Sequence, residues 1–158
     1  RIYLVASEAT AGSSIPAELR DISEAIRKTY GRTVRFGIAA DFIARAAAGS
    51  IVEGRGFIET NESAPVASLD WRIGKVDAKG VGSASPRYIL QASRFSLRMP
   101  MSLAKPGAEG DAPYAYDVAS FASSRSELRA GVPSVLGSFT LARPKREYFI
   151  VAVVSPVD

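Results

Sequence analysis

The sequence predicts an α+β fold, with one N-terminal amphipathic helix packed on a mostly antiparallel twisted sheet or small sandwich. A single strongly amphipathic segment lies at residues 16–30, and strand-like segments follow one another through the rest of the chain. An early helix followed by consecutive strands is typical of α+β folds rather than of doubly wound ones. For 158 residues we expect a single domain over 1–158, with a possible division into a β-α-β unit (1–60) and an antiparallel sheet (61–158).

The segment with the strongest strand signal is the penultimate one, residues 147–154. Seven apolar residues, mostly aromatic or β-branched, run without interruption from Tyr148 to Val154, and Pro156 follows. The run is too short to cross a bilayer, which takes about 20 residues in a helix. Its composition is typical of a strand covered on both faces. We therefore expect it at the centre of the sheet.

The helix is predicted from its spacing and its ends. Pro16 suits the first position of a helix, because its missing N–H needs no partner there. Leu19, Ile22 and Ile26 then recur at intervals of three and four, with charged residues on the other face. Gly31 suits the position just after the last turn.

Strands are predicted on both sides of this helix, at residues 2–6 and 34–38. Residues 41–48 are ambiguous, since an Ala-rich run that ends at a glycine also suits a helix. We favour a strand there, because residues 51–58 resemble the return arm of a hairpin with its tip at 49–50.

The second half of the chain is predicted to be strands joined by polar loops. In the first two of these strands apolar side chains alternate with polar ones, as in half-buried antiparallel sheets. The last one is interrupted by Gly131, Pro133 and Gly137, which indicates an edge or bulged strand. The predicted strands are 69–76, 88–99, 114–121 and 128–139, with loops at 77–86 and 100–113.

Composition excludes several kinds of chemistry. The chain has no Cys and no His, so disulfides, thiol nucleophiles, zinc–thiolate sites and His-dependent triads are excluded within it. Its 20 Lys and Arg exceed its 16 acids, but they are scattered, and a nucleic-acid face requires clustering. We therefore expect no nucleic-acid partner, and the short apolar runs predict no membrane insertion.

Short motifs give no firm site. Ser102 and Lys105 match the S-x-x-K pattern, but they lie in a Pro-rich stretch without the companion motifs. Gly54 and Gly56 form half of a dinucleotide fingerprint; in a strand, such glycines more often indicate a bulge or a close approach. A glycosylation sequon lies at 61–63.

Charged residues in the strands give two further interpretations. Arginines along one sheet face, together with aromatic rings, would resemble an RNA-binding sheet. However, Trp71 and Phe95 have the opposite parity from the nearby arginines and are predicted to face the core. The acids show no spacing that defines a metal or acid/base site, and we interpret them as polar faces of strands. The arginines are Arg72, Arg87, Arg94 and Arg98, and the acids are Glu53, Glu59, Glu62, Asp70 and Asp77.

Four stretches carry a resemblance to a known family. Residues 2–5 and 15–22 resemble the short β-α-β modules of bacterial secretins and related envelope proteins. Residues 128–138, followed by 149–154, are similar to the secretin pattern of a Gly/Pro/Val strand and then an apolar strand. The resemblance implies a periplasmic module that packs against like modules or other partners without catalysis. It carries over no catalytic, cofactor or metal residue.

Three functions follow in order of preference. The first is a non-catalytic cell-envelope module, not an enzyme, that acts by protein–protein contact or self-association through exposed sheet edges or the polar helix face. The second is a small-ligand-binding domain with a pocket between helix and sheet, lined by Trp71, Tyr88 and Phe95. The third is a carboxylate-dependent hydrolase, which needs two acids within about 5–10 Å. A cytoplasmic location stays open, and we expect no cofactor.

Overall fold

A computed structural model describes residues 1–7, 15–30, 36–58, 65–83, 85–103, 113–142 and 145–156. The predicted helix end at Gly31 and the start of the strand predicted at 34–38 lie outside these residues. The elements are β1 (Ile2–Ser7), a 3-10 turn (Ala17–Leu19), α1 (Arg20–Tyr30), β2 (Phe36–Phe42), β3 (Val52–Ile58), β4 (Ala67–Lys79), β5 (Arg87–Ser102), β6 (Tyr114–Arg129), β7 (Ser134–Ala142) and β8 (Lys145–Ala152).

The strands form two four-stranded sheets. Sheet A has the order β2-β1-β8-β7, and sheet B has the order β3-β4-β5-β6. Every pair of neighbouring strands within the two sheets is antiparallel. The prediction of an α+β fold, mostly antiparallel and with one early helix, is confirmed.

Strand β8 is covered on both faces, as its uninterrupted apolar run predicts. It lies inside sheet A, between β1 and β7. Ile150 and Val151 are both 0% exposed, although successive side chains of a strand point to opposite faces. Ile150 joins the cluster that includes residues of sheet B, and Val151 joins the cluster that includes the helix.

Helix α1 covers one face of sheet A. Leu19, at the end of the 3-10 turn, and Ile26 pack with Tyr3, Val5 and Phe149 of β1 and β8 in one buried cluster. The Tyr3 hydroxyl donates a hydrogen bond to the Glu18 carboxylate. Burial, together with this hydrogen bond, raises the pKa of the Tyr3 hydroxyl. The amphipathic stripe read from the sequence is therefore the contact that joins helix to sheet.

The other face of sheet A meets the inner face of sheet B. Leu4 and Ile150 of sheet A share one hydrophobic cluster with Leu69, Phe95 and Leu97 of sheet B. All five side chains are 0% exposed. Burial of this kind contributes roughly 1.5–3 kcal/mol per large apolar side chain, so this cluster is a principal source of stability.

The hairpin predicted across residues 41–58 is wrong. Strand β2 pairs with β1 in sheet A, whereas β3 pairs with β4 in sheet B. Residues 43–51 are neither helix nor strand, and they carry the chain from one sheet to the other. The Phe42 ring lies 5.2 Å from the Trp71 ring, centroid to centroid, which fixes the end of β2 against sheet B.

The two strands predicted at 114–121 and 128–139 divide differently in the structure. Strand β6 runs for 16 residues without a break and includes Leu128. The turn after it contains Gly131 at φ +71° and separates sheet B from sheet A. Strand β7 is one of the two edge strands of sheet A, and its register shifts between Val135 and Gly137. The edge and bulge predictions for this segment are confirmed. The loops predicted at 77–86 and 100–113 are shorter than predicted, because the strands that flank them are longer.

The alternation of inward and outward side chains along strands β4 and β5 shifts by one residue where Ala92 faces Gly74; we call this the parity change. Ala92 has φ +50°, which L side chains rarely adopt, and a Cβ on Gly74 would lie 3.1 Å from the Ala92 Cβ. Before this position Ile73 points to the core, and after it Val76 does. Had the alternation continued, Lys75 would face the core. The positive φ of Ala92 therefore allows both halves of β4 to point apolar side chains toward the core.

Replacing Ala92 with Gly should stabilise the protein. Glycine adopts a positive φ without a steric penalty, so Ala92→Gly should raise the free energy of unfolding by about 0.5–1 kcal/mol. Ala122→Gly, at an exposed position of β6, is the matched control and should lower it by about 0.5–1 kcal/mol. Urea unfolding of both variants measures the difference. Equal destabilisation by both would contradict the strain assigned to Ala92.

Candidate functional site

The three predicted pocket residues do not lie together beside the helix. Phe95 and Trp71 belong to the cluster between the two sheets, and Tyr88 packs at its margin. A depression of about 280 Å³ does lie between α1 and sheet A, but Ile22, Ile26 and other residues line it. The predicted placement of these three residues in a helix–sheet pocket is therefore wrong, because the helix covers the opposite face of sheet A.

Trp71 is held by the glycines of β3. Gly54 is its cross-strand partner, and a Cβ on Gly54 would lie 2.6 Å from the indole ring. A Cβ on Gly56 would clash with the ring of Phe42, which packs against Trp71 at an interplanar angle of 32°. The close approach predicted for these glycines is confirmed. They allow two aromatic rings to lie against the backbone at the junction of the sheets.

A shallow, arginine-lined depression of about 540 Å³ lies over sheet B on the face away from the core. We call it the arginine depression; its lining residues are Glu53, Gly54, Arg55, Asp70, Trp71, Arg72, Arg94 and Ser96.

Two ion pairs fill part of this depression. Arg55 pairs with Asp70, and the Arg72 Nε lies 3.9 Å from the Glu53 carboxylate. Arg94 stands directly opposite Arg72 in the neighbouring strand and forms no ion pair within the part of the chain that the structure describes. Like charges opposite one another in a sheet are destabilising. The depression is therefore suited to accept an additional negative group.

Exposed aromatic and apolar side chains continue from this depression along the same face. Phe57 is 68% exposed and Val118 is 58% exposed. Both lie in one row of directly opposed residues across the four strands of sheet B, which runs Phe57, Ser68, Arg98 and Val118. The Arg98 guanidinium carbon lies 3.8 Å from the centroid of the Tyr116 ring. We call this surface the aromatic patch; it consists of Phe57, Arg98, Tyr114, Tyr116 and Val118.

The aromatic patch corrects the parity interpretation of the sequence. Arg72, Arg94 and Arg98 do share the outer face, and Trp71 and Phe95 do face the core, as predicted. Tyr114 and Tyr116, however, lie on the arginine side. Their alternation with Ala115 and Asp117 was visible in the sequence, but only the register of β6 against β5 shows which face they share.

Among the described residues, the other sequence motifs form no chemical site. Ser102 ends β5 opposite Tyr114, while Lys105, Glu59 and the sequon at 61–63 lie outside the described residues. A hydrogen bond from Lys75 lowers the pKa of Asp77, whereas a general acid needs a raised one. Within the described ranges, no group of three or more acids could hold a metal ion.

A further cavity lies between the sheets at the end of the core opposite the aromatic patch. This inter-sheet cleft has a volume of about 290 Å³ and is lined mainly by apolar side chains, with Tyr88 among them. Tyr88 is therefore the one predicted pocket residue that lines a cavity in the inter-sheet core.

Comparisons with protein-family models, with curated proteins and with solved structures give no match. The described residues include no helix that is long and apolar enough to cross a membrane. The function proposed below therefore depends on the chain's own residues.

Truncating Trp71 should destabilise the fold strongly. The side chain is 8% exposed and fills space between β3, Phe42 and the core, so Trp71→Ala should cost about 3–5 kcal/mol in the free energy of unfolding. Phe57→Ala, at a 68% exposed position of the adjacent strand, should change it by less than about 0.5 kcal/mol. Chemical denaturation measures both. A stable Trp71→Ala variant would show that the indole has no structural role.

Proposed function

We propose that the chain is a non-catalytic cell-envelope module that acts by binding another protein through the outer face of sheet B. The observation that carries the proposal is the aromatic patch, with Arg98 stacked on Tyr116 between two exposed apolar side chains. The cell-envelope location is inferred from the resemblance to secretin-type modules. We also infer that the two sheets form a small sandwich, because their facing side chains share one hydrophobic cluster.

The composition of the patch supports protein binding. Aromatic residues and arginine are enriched where protein interfaces bury most of their binding energy. Large apolar side chains that share one exposed face indicate an interaction surface, whereas single ones do not. Phe57 and Val118 are more than half exposed, and Tyr114 adds a further ring that is 38% exposed. A partner that covers this face removes apolar surface from water at little conformational cost, since these strands are already ordered.

The edge of sheet B supplies a second mode of contact. Strand β6 is the last strand of the sheet and is 16 residues long. Edge strands present backbone donors and acceptors to which another chain can add a strand. Alternate side chains of an added strand would lie on the outer face, beside Tyr116 and Val118. The patch and the edge together favour an extended segment of the partner.

The charges indicate an acidic partner. Arg94 faces Arg72 and has no ion pair within the described residues, so a carboxylate placed between them would relieve their repulsion and accept charge-assisted hydrogen bonds. In a two-fold dimer the same surface meets itself, so a second copy would bring one face with more arginines than acids against another such face. We therefore favour a different protein with acidic and apolar side chains over self-association.

RNA is the main competing occupant of such a face. Sheets that carry arginines and aromatic rings also stack unpaired bases. Here Glu53 and Asp70 lie within the same depression and already pair with two of its arginines. These carboxylates would repel a phosphate backbone, whereas a protein partner can match both signs of charge.

A peptide library displayed on phage tests the proposal. Selection on the purified chain should recover acidic, apolar peptides whose affinity falls at high salt. Val118→Asp removes an apolar contact and adds a repelling charge, so it should weaken these peptides by roughly tenfold or more. Val81→Asp, in a turn outside the patch and at a 79% exposed position, is the matched control and should leave binding unchanged.

Three results would contradict the proposal. Peptides that bind the Val118→Asp variant as well as the unchanged protein would place the binding site elsewhere. Binding of a single-stranded RNA oligonucleotide that depends on Arg98 and Tyr116 would assign the face to nucleic acid. Concentration-dependent dimers in light scattering, abolished by Val118→Asp, would assign it to self-association.

A further inference from the structure

The inter-sheet cleft is an apolar cavity built by both sheets. Its walls come from the first residues of β1 and β3, the second half of β4, the first half of β5, Leu136 of β7, and the end of β8 with the residues that follow it, 152–156. The volume of about 290 Å³ is close to the lower end of the range of small-molecule sites, about 300–1,000 Å³. Apolar side chains on its walls include Ile2, Val52, Val76, Leu90 and Leu136.

The cleft reaches solvent beside the segment that joins the two sheets. Ala44, Arg45 and Ala46 of this segment line it. Backbone hydrogen bonds hold the end of the segment on β4, from the Gly49 N–H to the Val76 carbonyl at 2.7 Å and from the Val76 N–H to the Ser50 carbonyl at 3.2 Å. These bonds anchor the segment to β4, three residues beyond the part that lines the cleft.

Among the described residues, the charged side chains that line the cleft are of one sign: two arginines and no carboxylate. Arg1 lies 3.8 Å from the carboxylates of Glu18 and Asp41. Arg45 is exposed and has no ion pair among the described residues. An apolar cavity with an uncompensated guanidinium beside it is complementary to a molecule with a hydrocarbon chain and an anionic end.

We propose that the inter-sheet cleft binds a single-chain fatty-acid carboxylate, with the hydrocarbon chain among the apolar walls and the carboxylate at Arg45. Each methylene removed from water contributes to binding, and the small volume admits one chain rather than two. A cationic headgroup would be repelled by the arginines. The site goes beyond the protein-binding function and is independent of it, because the aromatic patch lies at the other end of sheet B.

Isothermal titration calorimetry of the full chain with dodecanoate, kept below its micelle-forming concentration, tests the site. Dodecyltrimethylammonium has the same chain length with a cationic end and should bind more weakly. Arg45→Gln should weaken dodecanoate by roughly tenfold, as expected for the loss of one charge-assisted contact, without weakening dodecyltrimethylammonium.

A blocking variant tests the location. Ala44→Phe places a ring in the cleft and should abolish dodecanoate binding. Ala48→Phe, in the same segment but outside the cleft lining, is the matched control and should bind as the unchanged protein does. Circular dichroism and thermal unfolding check that both variants fold.

The outcomes separate the parts of the proposal. No measurable binding of dodecanoate to the unchanged protein would overturn it. Equal binding to the Ala44→Phe variant would overturn the location, and equal affinity for the two headgroups would overturn the role of Arg45. Loss of peptide binding in the Val118→Asp variant with dodecanoate binding intact would show two separate sites.

Discussion

Strands β1 and β8 are buried on both faces, and the positions of the helix and of sheet B follow from this. Leu4 and Ile150 face sheet B while Tyr3 and Val151 face the helix, and each is at most 2% exposed. A strand buried on both faces needs a cover on each side. The helix supplies one cover and sheet B supplies the other. The outer face of sheet B is thereby left to solvent, and this is where the arginine depression and the aromatic patch lie.

The inter-sheet core is closed at one end and open at the other. Near β3, Trp71 and Phe42 fill the space beside Gly54 and Gly56. Beyond the parity change at Ala92, Val76 and Leu90 face inward and Tyr88 packs at the margin of the core, and the cleft forms among these side chains. One strained residue thus keeps the cleft walls apolar. The proposed protein-binding site depends on the outer face of sheet B, whereas the proposed fatty-acid site depends on the end of its inner face that borders the inter-sheet cleft.

Much of the fold can be predicted from local patterns in the sequence. The apolar run of β8 predicts burial on both faces, the apolar stripe of α1 predicts one packed helix face, and the glycines of β3 predict a close approach. The structure agrees with each of these predictions. Pairing between distant strands has no such local signal. Residues 36–42 and 52–58 could form a hairpin by pattern alone, and only the packing of Phe42 on Trp71 shows that they belong to different sheets. For the same reason, the face that Tyr116 shares with Arg98 depends on the register of β6 against β5. The cleft residues come from distant parts of the chain and are brought together only where the two sheets share one hydrophobic cluster.

Amide hydrogen exchange, resolved by residue, measures whether strands β1 and β8 are covered on both faces. If β1 and β8 form the doubly covered core, their amides should exchange most slowly of all, near the rate set by global unfolding. The amides of edge strand β6 should exchange faster, because that strand has a hydrogen-bonded neighbour on one side only. If the amides of β1 and β8 exchange as fast as those of β6, these strands are not covered on both faces. The outer face of sheet B would then no longer be singled out as the exposed one.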